Sequence, residues 1–477
     1  MGILIRMNNK ALIALVISLL ILQLNSQQMI SPFNDDSDST IYLDPLNTKE
    51  DCHLISQIAN IKTIEDQYNV QDNGSIKDNF QSCIKVSLKL VADINEGSGH
   101  GHPTHMEMVG SKIYFRAFGD SENYGLWVYE TTNSTHWQVA TIESNLDADL
   151  LPDNLGGMIE IFHQRDLVII GSRVYYSSYP VPNHSPNLWA FEFSNNTSWK
   201  INDNWMIGDI VSIGTRLFFS AYTESYGTEL WAHEILNGST WLVKDINLGV
   251  DSSSPKQFTV VDSKLFFFAT NSSLGSPYYG DDLWAHDMDN SSTWLISEFN
   301  SGSSGEMVLI GSRLYLTVQG GTRTCQIWVH ETSNNSIWKE VDLFDEFNMS
   351  WAFDPVVLGS RLYFSGLKPE HGWALWVHDS NNSSTWPIFE FNHITPNMNL
   401  YEYMILDSRL YFVSSSDIEV LLWLHDPADD STSKLAVINW ETENLFFTSL
   451  TGLENRLYFQ ADDGNSGREL WMLEILE

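Results

Sequence analysis

The sequence predicts an all-β protein: a single β-propeller of eight four-stranded blades, closed by a strand from near the N-terminus. Three observations predict it. A strand that opens on Lys or Arg and continues through aliphatic and aromatic residues occurs eight times, at Lys112-Ile113-Tyr114-Phe115, Arg173-Val174-Tyr175-Tyr176, Arg216-Leu217-Phe218-Phe219, Lys264-Leu265-Phe266-Phe267, Arg313-Leu314-Tyr315-Leu316, Arg361-Leu362-Tyr363-Phe364, Arg409-Leu410-Tyr411-Phe412 and Arg456-Leu457-Tyr458-Phe459. A tryptophan strand follows each, at Trp127, Trp189, Trp231, Trp284, Trp328, Trp376, Trp423 and Trp471. Such a period, with four strands per unit, marks propeller blades, which bury both sheet faces against their neighbours. Finally, Lys89-Leu90-Val91-Ala92-Asp93-Ile94-Asn95 matches the fourth strand Trp241-Leu242-Val243-Lys244-Asp245-Ile246-Asn247 without three strands before it, while the chain after Trp471 lacks a fourth. Those two defects complement each other, and joining them leaves no open sheet edge. Seven blades is the alternative, if the long interval from Trp127 to Trp189 hides a misread unit.

Residues 1–26 read as a secretory signal: Arg6 and Lys10 give the positive start and Ala11 to Leu24 the apolar run. That run is short for a membrane span, which takes about 20 residues; retention as an N-terminal anchor is the alternative. Residues 27–84 form an extension or linker, with an acidic, Ser-rich start at Asp35-Asp36-Ser37-Asp38-Ser39 and with Cys52 and Cys83 placed to pair in an oxidising compartment. Cys325 precedes a repeat strand and reads as a buried free thiol. The propeller takes residues 85–477.

Within a unit, Val211-Ser212-Ile213 turns at Gly214-Thr215 into the second strand, and Leu230-Trp231-Ala232-His233 turns at Asn237-Gly238-Ser239 into Thr240-Trp241-Leu242-Val243. These two turns fall on one face of the disc. The connections from second to third strand, and from blade to blade, fall on the other. Asn-x-Ser/Thr sequences concentrate in the turn after the third strand, at Asn133, Asn196, Asn237, Asn290, Asn334 and Asn382 among others, and are candidate glycosylation sites on an exported chain. Asn and Ser are also good turn formers in their own right. Glycans there would leave the opposite face open to partners.

The formal net charge of −36 excludes nucleic acid and anionic lipid as partners. On the open-face loops, Tyr278, Tyr279, Trp351 and Trp373, with Asp281 and Asp282, are candidate ligand-binding residues, since aromatic faces with carboxylates suit sugar recognition. The acidic pair Asp281-Asp282 is also a calcium candidate, although it lacks a known calcium-loop spacing. His100, His102 and His105 are candidate zinc ligands on the loop after the closing strand; a Gly- and Pro-shaped polar loop is the competing reading. By contrast, the histidines two after the tryptophan (His233, His286, His330, His378, His425) lie one per blade and read as structural, and the recurrent arginines as ion-pair partners of the acid after each histidine.

The stretch GTELWAHEILNGSTWLVKDINLGVDSSSP from Gly227 to Pro255 resembles the ELWxxDGT repeat family of secreted and cell-surface proteins. Glu229-Leu230-Trp231 and Glu469-Leu470-Trp471 keep its start, and Leu242-Val243-Lys244-Asp245-Ile246-Asn247 its continuation, over residues 85 to 477 or so. Glu234-Ile235-Leu236 and Asp287-Met288-Asp289 stand where the family has Asp-Gly-Thr, which puts in doubt any ligand held by that turn. A fainter likeness is to the Asp-box of sialidase-type propellers, nearest at Asp289-Asn290-Ser291-Ser292-Thr293-Trp294, but without a sialidase's arginine cluster. The uniform repeat, with no catalytic constellation formed, leads to the expectation of a secreted or cell-surface, monomeric, non-catalytic binding module for an extracellular glycan or protein. The alternatives are a glycan-cleaving enzyme with paired open-face carboxylates and a structural surface-layer component.

Overall fold

A computed structural model describes residues 85–476, apart from residue 98 and segments 120–123, 142–166, 179–186, 196, 202–204, 272–280, 300–303, 320–324, 350, 369–371, 391–398, 416–419, 440–448 and 463–465. The leader, Cys52, Cys83, Asn196, Tyr278 and Tyr279 lie outside the described residues.

Strands pair as eight antiparallel four-stranded blades in an eight-bladed β-propeller. Blade 3 is typical: Trp205–Ile213 is its inner strand, followed by Arg216–Thr223, Gly227–Glu234 and the outer strand Thr240–Lys244. Its second strand is buried on both faces from Leu217 to Ala221, which is why the repeat reads as a continuous apolar run rather than an alternating one. Clusters form between blades: Phe218, Leu230 and Ala232 of blade 3 pack with Leu265 and Phe267 of blade 4.

Blade 8 consists of Leu450–Leu453, Arg456–Asp462, Arg468–Leu476 and, as its outer strand, Lys85–Ala92 from the other end of the chain. The closing register runs from Lys85 opposite Leu476 to Leu90 opposite Trp471, with a bulge before Ala92. Ile94, Phe115, Tyr129, Tyr458 and Leu470 then seal blade 8 to blade 1. The eight-blade count and the closure by the N-terminal strand are thus as the repeat implied. Unforeseen from the repeat is a short helix, α1 (Leu343–Phe347), in the connection from blade 5 to blade 6, capped by the Asp342 side chain accepting from Asp345 N.

The two hairpin turns of each blade meet on one face. Ile235 N donates to Thr215 O in blade 3, Met288 N to Ser263 O in blade 4 and Ile475 N to Asn455 O in blade 8. Opposite the turns, six of the inner strands, those of blades 1 and 3 to 7, begin with a bulge among the described residues. Residues there adopt left-handed backbone angles at His105, Gln257, Asp354 and Glu402, with φ between 54° and 58°. The bulges lie where these inner strands start, at the channel mouth on the open face.

Candidate functional site

The sites named from the sequence resolve into repeated scaffold and one open-face cluster. The scaffold part is a clasp at the junction between blades. In blade 3, buried Glu229 accepts from Ile246 N (2.9 Å), Asn247 N (3.2 Å) and Ser253 N (3.0 Å). Asn247 Nδ2 donates to Ser252 O (3.0 Å), Asp245 takes the Gly249 N–H (3.2 Å), and Ser252 Oγ takes the Thr228 N–H (2.9 Å).

Blade 8 repeats each contact across the closure. Glu469 accepts from Ile94 N (2.7 Å), Asn95 N (3.4 Å) and Gly101 N (2.7 Å), and Asn95 Nδ2 donates to His100 O (3.4 Å). Asp93 takes the Gly97 N–H (3.4 Å), and His100 Nδ1 takes the Arg468 N–H (3.0 Å). Burial pushes the Glu229 carboxyl up to about 7 and that of Glu469 up to about 8, against the pull of these N–H groups.

This correspondence relocates the three histidines proposed for metal. His100 stands where blade 3 has Ser252. His102, whose N–H donates to Arg468 O, stands where Ser254 donates to Thr228 O. His105 is the left-handed bulge residue, matching Gln257. Its Nδ1 lies 3.1 Å from Thr104 Oγ1, and burial with the nearby Arg116 cation pushes it down to about 3, so it is neutral. The His100 and His102 rings are neighbours at 5.5 Å. Even so, among the described residues no three His, Cys, Asp or Glu side chains come together to hold an ion. The residue types are unusual at these positions, but the positions are not.

The acidic pair is also occupied. Asp281 bridges Lys256 Nζ at 2.8 Å. Asp282 takes the glutamate's place in the blade 4 clasp, accepting from Phe299 N at 3.2 Å, and burial pushes it up to about 6. The Asn-x-Ser/Thr turns are side-chain-capped turns: Thr135, Ser239, Ser292, Ser336 and Ser384 each donate a backbone N–H to the Asn133, Asn237, Asn290, Asn334 or Asn382 side chain two residues before, at 2.9–3.1 Å. Blade 7 does the same with Asp429 and Ser431 (3.0 Å), where no glycan acceptor exists. The turn alone therefore accounts for the recurrence.

The per-blade histidines and arginines are structural, as read. His286 Nδ1 lies 2.8 Å from Thr293 Oγ1, and its ring sits 5.5 Å from Phe218 of the preceding blade. His330, His378 and His425 make the same packing on Phe266, Tyr315 and Tyr363. Arg173, Arg216, Arg409 and Arg456 pair with Glu192, Glu234, Asp426 and Glu474 at 2.9–3.2 Å. Unforeseen was the third layer: Arg173, Arg216, Arg313 and Arg361 also lie over outer-strand Trp199, Trp241, Trp338 and Trp386, at 5.4–6.0 Å from the ring centres.

What remains is the channel mouth. Among the described residues, five inner strands carry a carboxylate at or beside the bulge: Glu107, Asp209, Glu306, Asp354 and Glu402. Asp209 shows how these acids serve the ring, its Oδ2 accepting from Gln257 N (2.8 Å) and Phe258 N (3.4 Å) of the next blade. At the equivalent blade 8 to blade 1 junction, Ser449 Oγ accepts from Met106 N (2.9 Å). Burial, with the Asp354 and Glu306 charges nearby, raises the Tyr403 phenol above its ordinary range. Beside Asp354 the candidates Trp351 and Trp373 come together, bridged by Phe353, a residue the sequence reading passed over.

No family model matches the chain, and no curated protein matches it. Among solved structures it is similar to a puromycin-hydrolyzing peptidase of Mycobacterium tuberculosis, at 10% identity and TM-score 0.46, over 62% of this chain and 49% of that one. The chain thus spans about half the length of that peptidase. It is similar to an oligogalacturonate lyase from Vibrio parahaemolyticus, at 10% identity and TM-score 0.43, over 80% of this chain and 99% of that one. The propeller domain of the trilobed protease from Pyrococcus furiosus, described as having an open velcro topology, matches at 13% identity and TM-score 0.40, over 65% and 92%. At these identities the likeness is one of fold. It nonetheless corrects the expectation of a module without catalysis: the propellers this chain is similar to belong to enzymes, so a uniform repeat is no ground for excluding a reaction.

Proposed function

We propose that this protein works at the channel mouth of its open face as the substrate-receiving part of an enzyme, acting on cationic material such as basic peptide segments. The observation that carries this reading is the set of bulge carboxylates Glu107, Asp209, Glu306, Asp354 and Glu402 on a chain of formal net charge −36. Cations are present there too, Lys256 bridged to Asp281 and Arg116 opposite Thr104, but the carboxylates outnumber them, and an excess of one sign of charge concentrates counter-charged ligands and repels like-charged ones. A polyuronate would be repelled, so of the two activities named among the similar structures, peptide cleavage suits this surface better.

The test is to incubate the full chain with matched basic, neutral and acidic peptides and with oligogalacturonate, scoring retention and products by mass spectrometry. Basic peptides retained or cleaved in preference, with the preference collapsing between about 50 and 300 mM salt, is the expected result. Products from oligogalacturonate, or indifference to peptide charge, would overturn it.

We further propose export, on Arg6, Lys10 and the apolar run Ala11 to Leu24; a mature protein whose N-terminus still begins at Met1 would refute processing. Kinship with the ELWxxDGT repeats is proposed on Glu229-Leu230-Trp231 and Glu469-Leu470-Trp471, whose glutamates make the two clasps.

A further inference from the structure

We infer that Trp351, Phe353 and Trp373 of blade 6 form a stacking platform for the guanidinium of an arginine side chain, with Asp354 supplying the opposite charge. This deepens the reading above and rests on it. Trp351 and Trp373 sit on the first and third strands, both opposite Leu367 of the second, so the two indoles stand on one face of the sheet flanking a single residue. Phe353 is two residues from Trp351 and shares that face.

The rings are in contact. The Trp351 and Phe353 centroids are 5.7 Å apart with planes 10° from parallel, and Phe353 is 6.0 Å from Trp373. Trp373 is anchored among Leu375, Leu400 and Trp423 between blades 6 and 7, whereas Trp351 is 41% and Phe353 38% exposed. Single exposed aromatics are ordinary on a protein surface; a contiguous trio at the edge of a channel mouth is not.

Two observations choose the occupant. Asp354 follows Phe353 directly and is turned by its left-handed φ of 54°, and Glu306 and Glu402 occupy bulges on the flanking blades. The platform therefore lies in a negative field that favours a cation over a neutral ring. The chain also uses cations on indoles throughout: four arginines lie over outer-strand tryptophans, and on the other face of blade 6 Lys368 Nζ is 4.5 Å from the centre of the Trp376 ring. Among the described residues no Lys or Arg lies over Trp351 or Trp373. A planar, weakly hydrated guanidinium stacks on such a surface better than an ammonium does.

The experiment measures binding of an arginine-containing peptide, its lysine counterpart and a neutral hexose oligomer to the full chain, by titration calorimetry. Alongside wild type run Trp351→Ala, Phe353→Ala and, as a control on the opposite side of the ring, Trp241→Ala. The expected result is tighter binding of the arginine peptide than of the lysine peptide, with that margin lost and arginine affinity reduced roughly five- to tenfold in Trp351→Ala and Phe353→Ala only. The exposed positions keep the fold intact, which matching melting temperatures check. If basic peptides bind wild type equally well with or without the platform side chains, the platform is overturned while the cationic-substrate reading stands. If no basic peptide binds wild type, both fall; binding of the neutral oligomer lost in Trp351→Ala would assign the platform to a saccharide instead.

Discussion

Blades 3 and 8 make the same clasp under different constraints. In blade 3 the buried Glu229 holds the loop that continues directly from its own outer strand, 17 to 24 residues away. In blade 8 Glu469 holds Ile94, Asn95 and Gly101, 368 to 375 residues away in sequence, and nothing covalent joins the two sides nearby. The donor atoms are matched almost one for one, yet the first clasp tidies a loop and the second shuts the ring. One hydrogen-bonding unit, repeated by the sequence, thus serves two mechanical purposes according to where the chain is cut.

The largest expected effect breaks this comparison open. Glu469→Ala strands two buried N–H groups and a half-buried third, a loss of about 3 to 5 kcal/mol, and it loosens the strand that completes blade 8. Glu229→Ala strands a similar set, but the loop stays tethered at both ends. Both variants should melt lower by calorimetry, and only Glu469→Ala should oligomerise on size exclusion, because its loosened closure bares a sheet edge. Identical behaviour of the two would mean that the closing strand is held by its ladder alone.

Glycines at the two clasps sharpen the point. Gly227 and Gly467 occupy the same repeat position with φ of 64° and 71°. A Cβ on Gly227 would sit 2.7 Å from the Asp251 carbonyl oxygen, and one on Gly467 would overlap the Gly99 carbonyl oxygen outright. Both alanine variants bear the strain of a left-handed side chain, about 1 to 3 kcal/mol. Both must also push a loop backbone away, Gly467→Ala the farther and at the ring closure, so it should lie lower in urea midpoint than Gly227→Ala.

Acid titration separates the clasps by their partners. Burial raises Glu469 from its ordinary 4.5 to about 8, so the folded state keeps a proton that the unfolded chain releases. That contribution to stability is present in full below about 4.5 and is lost as pH rises through about 8. General repulsion on this acidic chain falls in the same direction, so the diagnostic quantity is the difference from Glu469→Gln, which cannot titrate there. The urea midpoint of wild type should fall more between pH 5 and pH 8 than that of the variant; parallel falls would show that Glu469 is ionised throughout. Glu229, raised to about 7 and facing the Ser253 hydroxyl, should give the same pattern over a narrower window.

Much of this was legible because a repeat averages out local ambiguity. The tryptophan strand, the Arg-initiated strand and the orphan Lys89 to Asn95 each recur, so the blade count, the closure and the structural status of the histidines and arginines could be read from spacing alone. The site was read less well for the same reason. His100, His102 and His105 stood out by residue type, yet alignment of the closing loop with Ser252, Ser254 and Gln257 would have shown that they fill scaffold positions. Glu229 and Glu469 were seen as a family signature and not as buried acceptors, since sequence does not reveal which N–H groups converge on a carboxylate. Phe353 was invisible because its role depends on a bulge and on Trp373, a partner on another strand twenty residues away.

The smallest effect tests whether the two blades differ on the turn face as well. Arg216 pairs with Glu234 at 3.2 Å and lies 6.0 Å from the centre of the Trp241 ring. Arg456 pairs with Glu474 at 3.1 Å, but the closing strand carries Lys89, opposite Met472, where blade 3 has Trp241 opposite Ala232. Exposed ion pairs contribute little, about 0 to 1 kcal/mol, and a cation on an exposed indole adds about 0.5 to 1 kcal/mol. Arg216→Ala should therefore lower stability slightly more than Arg456→Ala, and Trp241→Leu should bring the two losses level in urea titrations. If Arg456→Ala proves the more costly, the arginine of blade 8 helps to hold the closing strand, and the closure has a second fastening besides Glu469.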